Sequence, residues 1–150
     1  MTADHNTYCK PTVGQLEREL AQKINALYQR QLGHRAKKVD CHIFANKVFI
    51  YSENVMTSIE KLLLEAPSPN LVHQIRGFLD SSIKEQVAKI TQEITKIQID
   101  SCIYNTSVET GSAVGIVMLA DTPQVRRKKN SCNYKNHKNV IQMSHLPEEA

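Results

Sequence analysis

The 150-residue sequence predicts an α+β domain: a two-layer sandwich of one four-stranded, mostly antiparallel sheet and helices in the order αββααββ. Three observations predict it. Two threonine capping boxes open amphipathic stretches, and a long apolar stripe from Val72 runs at helical spacing. Four short segments alternate or run apolar in the manner of strands. The periodic region, 12–121, is expected to be the folded domain, between a polar lead (1–11) and a basic tail (122–150), both expected to be disordered.

Thr12-Val13-Gly14-Gln15 is the first capping box, in which the threonine hydroxyl takes an orphan amide and Gln15 reaches back. Leu16, Leu20, Ile24, Leu27 and Tyr28 follow on one face, and Gly33 suits a left-handed stop. Val39, Cys41 and Ile43 alternate with Asp40, His42 and Phe44, a strand with one buried face. A turn at Asn46-Lys47 and a strand over Val48-Phe49-Ile50-Tyr51 would complete an antiparallel hairpin.

Thr57-Ser58-Ile59-Glu60 is the second capping box, opening a short helix through Leu62, Leu63 and Leu64 that Pro67 and Pro69 end. Asn70 is then the expected cap of a long helix. Val72, Ile75, Leu79, Ile83, Val87, Ile90, Ile94 and Ile97 recur along it every third or fourth residue. So dense a β-branched stripe fits a coiled-coil seam and fits a sheet equally well; packing on the sheet is the expectation, with part of the stripe left for a second subunit, hence a homodimer. Beyond Ile97 the period becomes two, placing Ile97, Ile99 and Ser101 on one side. Asn105–Ser112 reads as a loop, and the run Ala113–Ala120 as a central or doubly covered strand.

Charge narrows the function classes. Residues 1–121 carry 13 basic and 13 acidic side chains, while residues 122–150 carry six and two. The net charge of +4 therefore belongs to the tail, and charge gives the fold itself no support as a nucleic-acid binder. No run approaches the roughly 18 apolar residues a membrane span needs, and the N-terminus has no signal-peptide pattern, so a cytoplasmic protein is expected. Cys9, Cys41, Cys102 and Cys132 form no C-x-x-C pair; Cys41 and Cys102 read as small apolar strand residues, and Cys9 and Cys132 as exposed thiols.

Catalytic signals are missing. The five glycines are scattered without phosphate-loop or dinucleotide spacing, and neither G-x-S-x-G nor H-E-x-x-H occurs, so no enzyme activity and no cofactor are expected. Cys132, His137 and His145 lack regular spacing and a fourth ligand, which argues against a metal site. His42 and His73 read as ordinary surface or structural residues. The candidates are charged. His34, Arg35, Lys37 and Lys38 form a basic loop able to attract an anion or acidic partner. Arg76, beside Ile75, Phe78 and Leu79, is expected to be half-buried and to need a carboxylate, from Glu60 or Glu65. In the tail, Arg126, Arg127, Lys128 and Lys129 can meet phosphates or an anionic membrane surface.

Several segments together resemble the MpsC-like family, small soluble proteins named for a Na+-translocating, membrane-potential-generating system. They are Leu32-Gly33 leading to Lys37-Lys38-Val39, Met56–Leu63, Leu71–Arg76, and Val108–Gly111 before the last strand. Thr57 with Glu60, and Arg76 in its helix, are the most specific matches. Where the family often has a Gly-Arg-Gly-Pro-like turn, this chain has Gly33-His34-Arg35-Ala36. The resemblance implies a non-catalytic accessory or regulatory protein, partnered with subunits of a membrane complex that moves Na+ or inorganic carbon, at the inner face of the membrane. It would dock through its folded domain with help from the basic tail. Two other classes stay open: a small-anion or ligand sensor using Arg76 and the loop at His34, and a nucleic-acid binder driven by the tail.

Overall fold

The computed structural model describes residues 9–126, and the element order is αββααββ. α1 (Val13–Leu32), α2 (Ser58–Leu64) and α3 (Pro69–Thr95) are the helices; β1 (Lys38–Phe44), β2 (Lys47–Glu53), β3 (Ile99–Ser107) and β4 (Ser112–Leu119) are the strands. The strands form one open sheet in the order β1-β2-β4-β3, with every neighbouring pair antiparallel. α1 packs on β1 and α3 on β3, and the two helices touch each other over the same face of the sheet. The core between the layers is built from Leu20, Ile24 and Leu27 of α1, Val48 and Ile50 of β2, Ile83 and Val87 of α3, and Val117 and Leu119 of β4.

Local chemistry sets the ends of α1. Thr12 Oγ1 accepts from the Gln15 amide at 3.2 Å while Gln15 Oε1 accepts from the Thr12 amide at 2.8 Å. Gly33 closes the helix at φ 63°, a conformation that would crowd a Cβ. Val39, Cys41 and Ile43 turn inward along β1 and leave His42 outside. The edge of β1 is not bare: Glu17 of α1 accepts from the Ile43 amide at 2.8 Å.

Several boundaries differ from the sequence expectation. The hairpin turn is Ala45-Asn46 rather than Asn46-Lys47, with Ala45 at φ 52° and Lys47 paired with Phe44. Asn46 is held from outside the hairpin, since its side-chain amide donates to the Leu119 carbonyl and its own carbonyl accepts from the Leu119 amide. α3 begins at Pro69 behind Ser68, not at a capping Asn70, because proline at a first helical position forgoes only an amide that would be unpaired anyway. It ends at Thr95, and Lys96 at φ 58° turns the chain away before Ile97.

The buried line of α3 also differs. Val72, Arg76, Asp80, Ile83, Val87, Thr91 and Ile94 face inward, whereas Ile75, Leu79 and Ile90 are half-buried. Two charged residues thus occupy core positions, and Arg76 is buried outright rather than half-buried. A bulge between Ile99 and Ser101 in β3 shifts the inward phase to Cys102, Tyr104 and Thr106, leaving Ser101 outside. β3 runs on to Ser107, so the expected loop shrinks to a tight turn at 108–111. β4 is central and covered on one face, with Ala113, Gly115, Val117 and Leu119 inward and Val114 exposed.

Past β4, Pro123 is buried and Val125 packs against the core. The Arg126 amide donates to the Pro11 carbonyl at 2.9 Å, pinning this segment beside the start of α1.

Gly115 is a packing site. A Cβ there would meet Tyr104 Cδ2 at 2.8 Å, because the Tyr104 ring of the neighbouring strand lies over the glycine. Gly115→Val is therefore expected to lower stability by about 1–3 kcal/mol, read by urea unfolding; unchanged stability would mean the ring is free to move aside.

Candidate functional site

The residues that carry the most chemistry meet inside the domain, where α2, α3 and β3 converge. Thr57 caps α2, with Glu60 as the reciprocal acceptor: Glu60 Oε2 takes the Thr57 amide and the Thr57 hydroxyl, each at 2.8 Å. The other carboxylate oxygen, Oε1, accepts from Arg76 Nη1 at 2.9 Å, so Glu60 rather than Glu65 is the partner. Both side chains are almost wholly enclosed, at 2% and 3% exposure. Arg76 Nε lies 3.2 Å from Asp80 Oδ1, one helical turn on, an ionic contact without hydrogen-bond alignment. Asp80 in turn accepts the Thr106 amide at 2.9 Å and the Thr106 hydroxyl at 2.7 Å.

This network ties two helices to a strand. One guanidinium sits between two carboxylates, and four hydrogen bonds from Thr57 and Thr106 solvate the excess negative charge. Burial alone would raise the pKa of Glu60. The amide and hydroxyl of Thr57, and then Arg76, outweigh it and hold the carboxyl below its usual range. Tyr28 of α1 and Ser52 of β2 are fully buried. Burial pushes the Tyr28 phenol up to about 12, with Ser52 and Arg76 acting the other way. Tyr28 Oη, Ser52 Oγ and Arg76 Nη2 have no well-formed hydrogen bond among the described residues.

Sequence reasoning singled out Thr57, Glu60 and Arg76, and the structure brings these three together. It missed Asp80, Thr106, Tyr28 and Ser52. Asp80 stands four residues after Arg76, the spacing of a helical ion pair, and that was the available signal.

The basic loop does not converge. His34 Nε2 donates to the Asn54 carbonyl at 2.7 Å, and Lys38 pairs with Asp40 at 2.7 Å. The Arg35 and Lys37 side chains are exposed and make no ion pair among the described residues. Of the four tail cations singled out only Arg126 is described, its Nη1 at 2.8 Å from Cys9 Sγ. Arg127, Lys128 and Lys129, like Cys132, His137 and His145, lie outside the described residues. Cys41 is buried and its thiol is pushed up to about 12 by desolvation, which makes it a packing residue. No three His, Cys, Asp or Glu among the described residues are placed to hold a metal ion.

The fold and its enclosed ion network define a small α+β domain whose sharpest chemistry is internal. The chain belongs to the MpsC family: the family model described as "Na+-translocating membrane potential-generating system (MpsC)" matches residues 12–121, the whole of the layered fold. No curated protein and no solved structure gives a match.

The lowered pKa of Glu60 has a definite sign. Its contribution to stability is complete above the unfolded-state value of about 4.3 and is lost as pH falls through the lower folded value. Glu60→Gln is thus expected to be less stable than the parent at neutral pH, with the gap closing as pH is lowered below about 4. Urea midpoints across that range would show it; a gap as wide in acid as at neutral pH would contradict it.

Proposed function

We propose that this protein is a non-catalytic accessory or regulatory component of a membrane system that translocates Na+ or inorganic carbon. The observation that carries the reading is the family match across 12–121, because the family's description names a Na+-translocating, membrane-potential-generating system. Two features support a role beside the membrane rather than across it. No helix among the described residues is long and apolar enough to span a bilayer. The positive charge of the chain is concentrated at 126–138, downstream of a neutral body.

In this reading the folded domain docks on cytoplasmic parts of the membrane complex, and the cations from Arg126 to Lys129 add attraction to anionic headgroups. Each cation near such a surface contributes about 1 kcal/mol. The buried network keeps the docking surface in one shape; Arg76 itself is enclosed and offers no face to a ligand.

Affinity purification from gently solubilised cells tests the proposal. The full chain and a form ending at Arg126, which retains the packed Val125, are both expected to recover membrane transport subunits. Reversing the charges at Arg126, Arg127, Lys128 and Lys129 is expected to weaken membrane association in low salt. Recovery of no membrane protein by either form would overturn the proposal, and association unchanged by the reversal would remove the tail from it.

A further inference from the structure

The helices cover one face of the sheet, and the other face is open. Alternation along each strand and the observed register arrange its outward residues in rows. His42, Phe49, Ile116 and Ile103 form one row, and Asp40, Tyr51, Val114 and Asn105 the next. Phe44, Lys47, Met118 and Ser101 lie on one side of these, and Lys38, Glu53, Ser112 and Ser107 on the other. The grid is apolar and in contact with solvent across its two central rows and at the Phe44 corner: Phe44 is 72% exposed, Ile103 57% and Val114 53%. With Phe49 and Tyr51, these side chains present on the order of 500 Å² of exposed surface, at the upper end of what a monomer usually leaves in one patch. The rest of the grid brings the face toward the ~800 Å² per partner of a standard interface.

We propose that this open face packs against the same face of a second copy of the chain. The two-fold axis would run across the strands between the Phe49 and Tyr51 rows. The charge pattern selects both the partner and the axis. The outward residues of β2 read Lys47, Phe49, Tyr51, Glu53: a cation, two aromatics and an anion. An axis across the strands reverses that order over itself, so Lys47 meets Glu53 of the second copy at both ends while the aromatics meet in the middle. The same operation sets Asp40 over His42 of the second copy, and Lys38 over the exposed Phe44 ring.

An axis along the strands would instead lay β2 over β4 of the second copy. Lys47 would then face Met118 and be desolvated without a partner, a costly arrangement, while Glu53 would face Ser112 and keep only Lys38 of its own sheet beside it. At the outward grid positions β3 and β4 carry no charge, and the exposed Asp100 stands at the β3 bulge, on the margin of the grid. Two twisted sheets stacked this way lie about 10 Å apart with strands crossing near −30°, the aligned packing of sheet on sheet. The pairing does not rest on the membrane-system reading, since it uses only this chain's own surface.

Sedimentation velocity of the full chain across the micromolar range tests the pairing, with far-UV circular dichroism confirming that each variant is folded. The parent is expected to dimerise. Lys47→Glu and Glu53→Lys should each weaken the dimer at least about tenfold, equivalent to ~1.4 kcal/mol, because each sets like charges over one another. The double variant K47E/E53K restores the pairs and should return the affinity to within about threefold of the parent, or ~0.6 kcal/mol. Val114→Lys, at an exposed position outside the core, should give a folded monomer. A parent that is monomeric at high micromolar concentration, a dimer that survives Val114→Lys, or charge variants that show no rescue would each overturn the proposal.

Discussion

An arginine enclosed to 2% exposure between two carboxylates is the constraint on which the arrangement of this domain depends. Arg76 cannot shed its charge, and burying it unpaired would cost several kcal/mol, so any stable packing of α3 has to bring carboxylates to it. Asp80 comes from the same helix. Glu60 comes from α2, whose other apolar side chains do little for docking: Ile59 and Leu62 point to solvent, and Glu60 is the helix's one buried residue. The short helix is therefore held by a carboxylate, with a small cluster of Met56, Leu63, Val72 and Val108 beside it. Asp80 passes the constraint on to β3 through Thr106. The second capping box thus starts a helix and also aims Glu60 inward.

Much of the fold was legible because local chemistry decides it. Thr12 with Gln15, Thr57 with Glu60, Gly33, and the alternation of β1 act over a few residues, and the structure keeps them. What was not legible is set across the chain. The turn at Ala45-Asn46 depends on Leu119, seventy-three residues beyond Asn46. The bulge at the start of β3 adds a residue against β4 and reverses which side chains point inward, a two-strand property that alternation along one strand cannot reveal.

The candidate site shows the same division. A helical spacing that puts Val72, Ile83 and Val87 on one face also admits Arg76 and Asp80. Hydrophobicity favours Ile75 and Leu79 for those places, yet the network supplies the partners that let charged residues take them. Glu60 was visible as a capping residue before it was visible as a core residue. The convergence of Tyr28 and Ser52 on the same region needs three elements at once and leaves no mark on the sequence.

With its sharpest chemistry sealed inside, this member of the MpsC family leaves only its outer surfaces to solvent, and the internal ion network ties together the two helices and the strand that carry part of them. The most direct test of that account is a double-mutant cycle on Arg76→Leu and Glu60→Leu, read by urea unfolding. Arg76→Leu alone is expected to cost about 3–5 kcal/mol, because it strands two buried carboxylates. The double variant should cost less than the two single losses combined, by about 1–3 kcal/mol. Losses that simply add, or an Arg76→Leu variant as stable as the parent, would contradict the claim that this pair organises the fold.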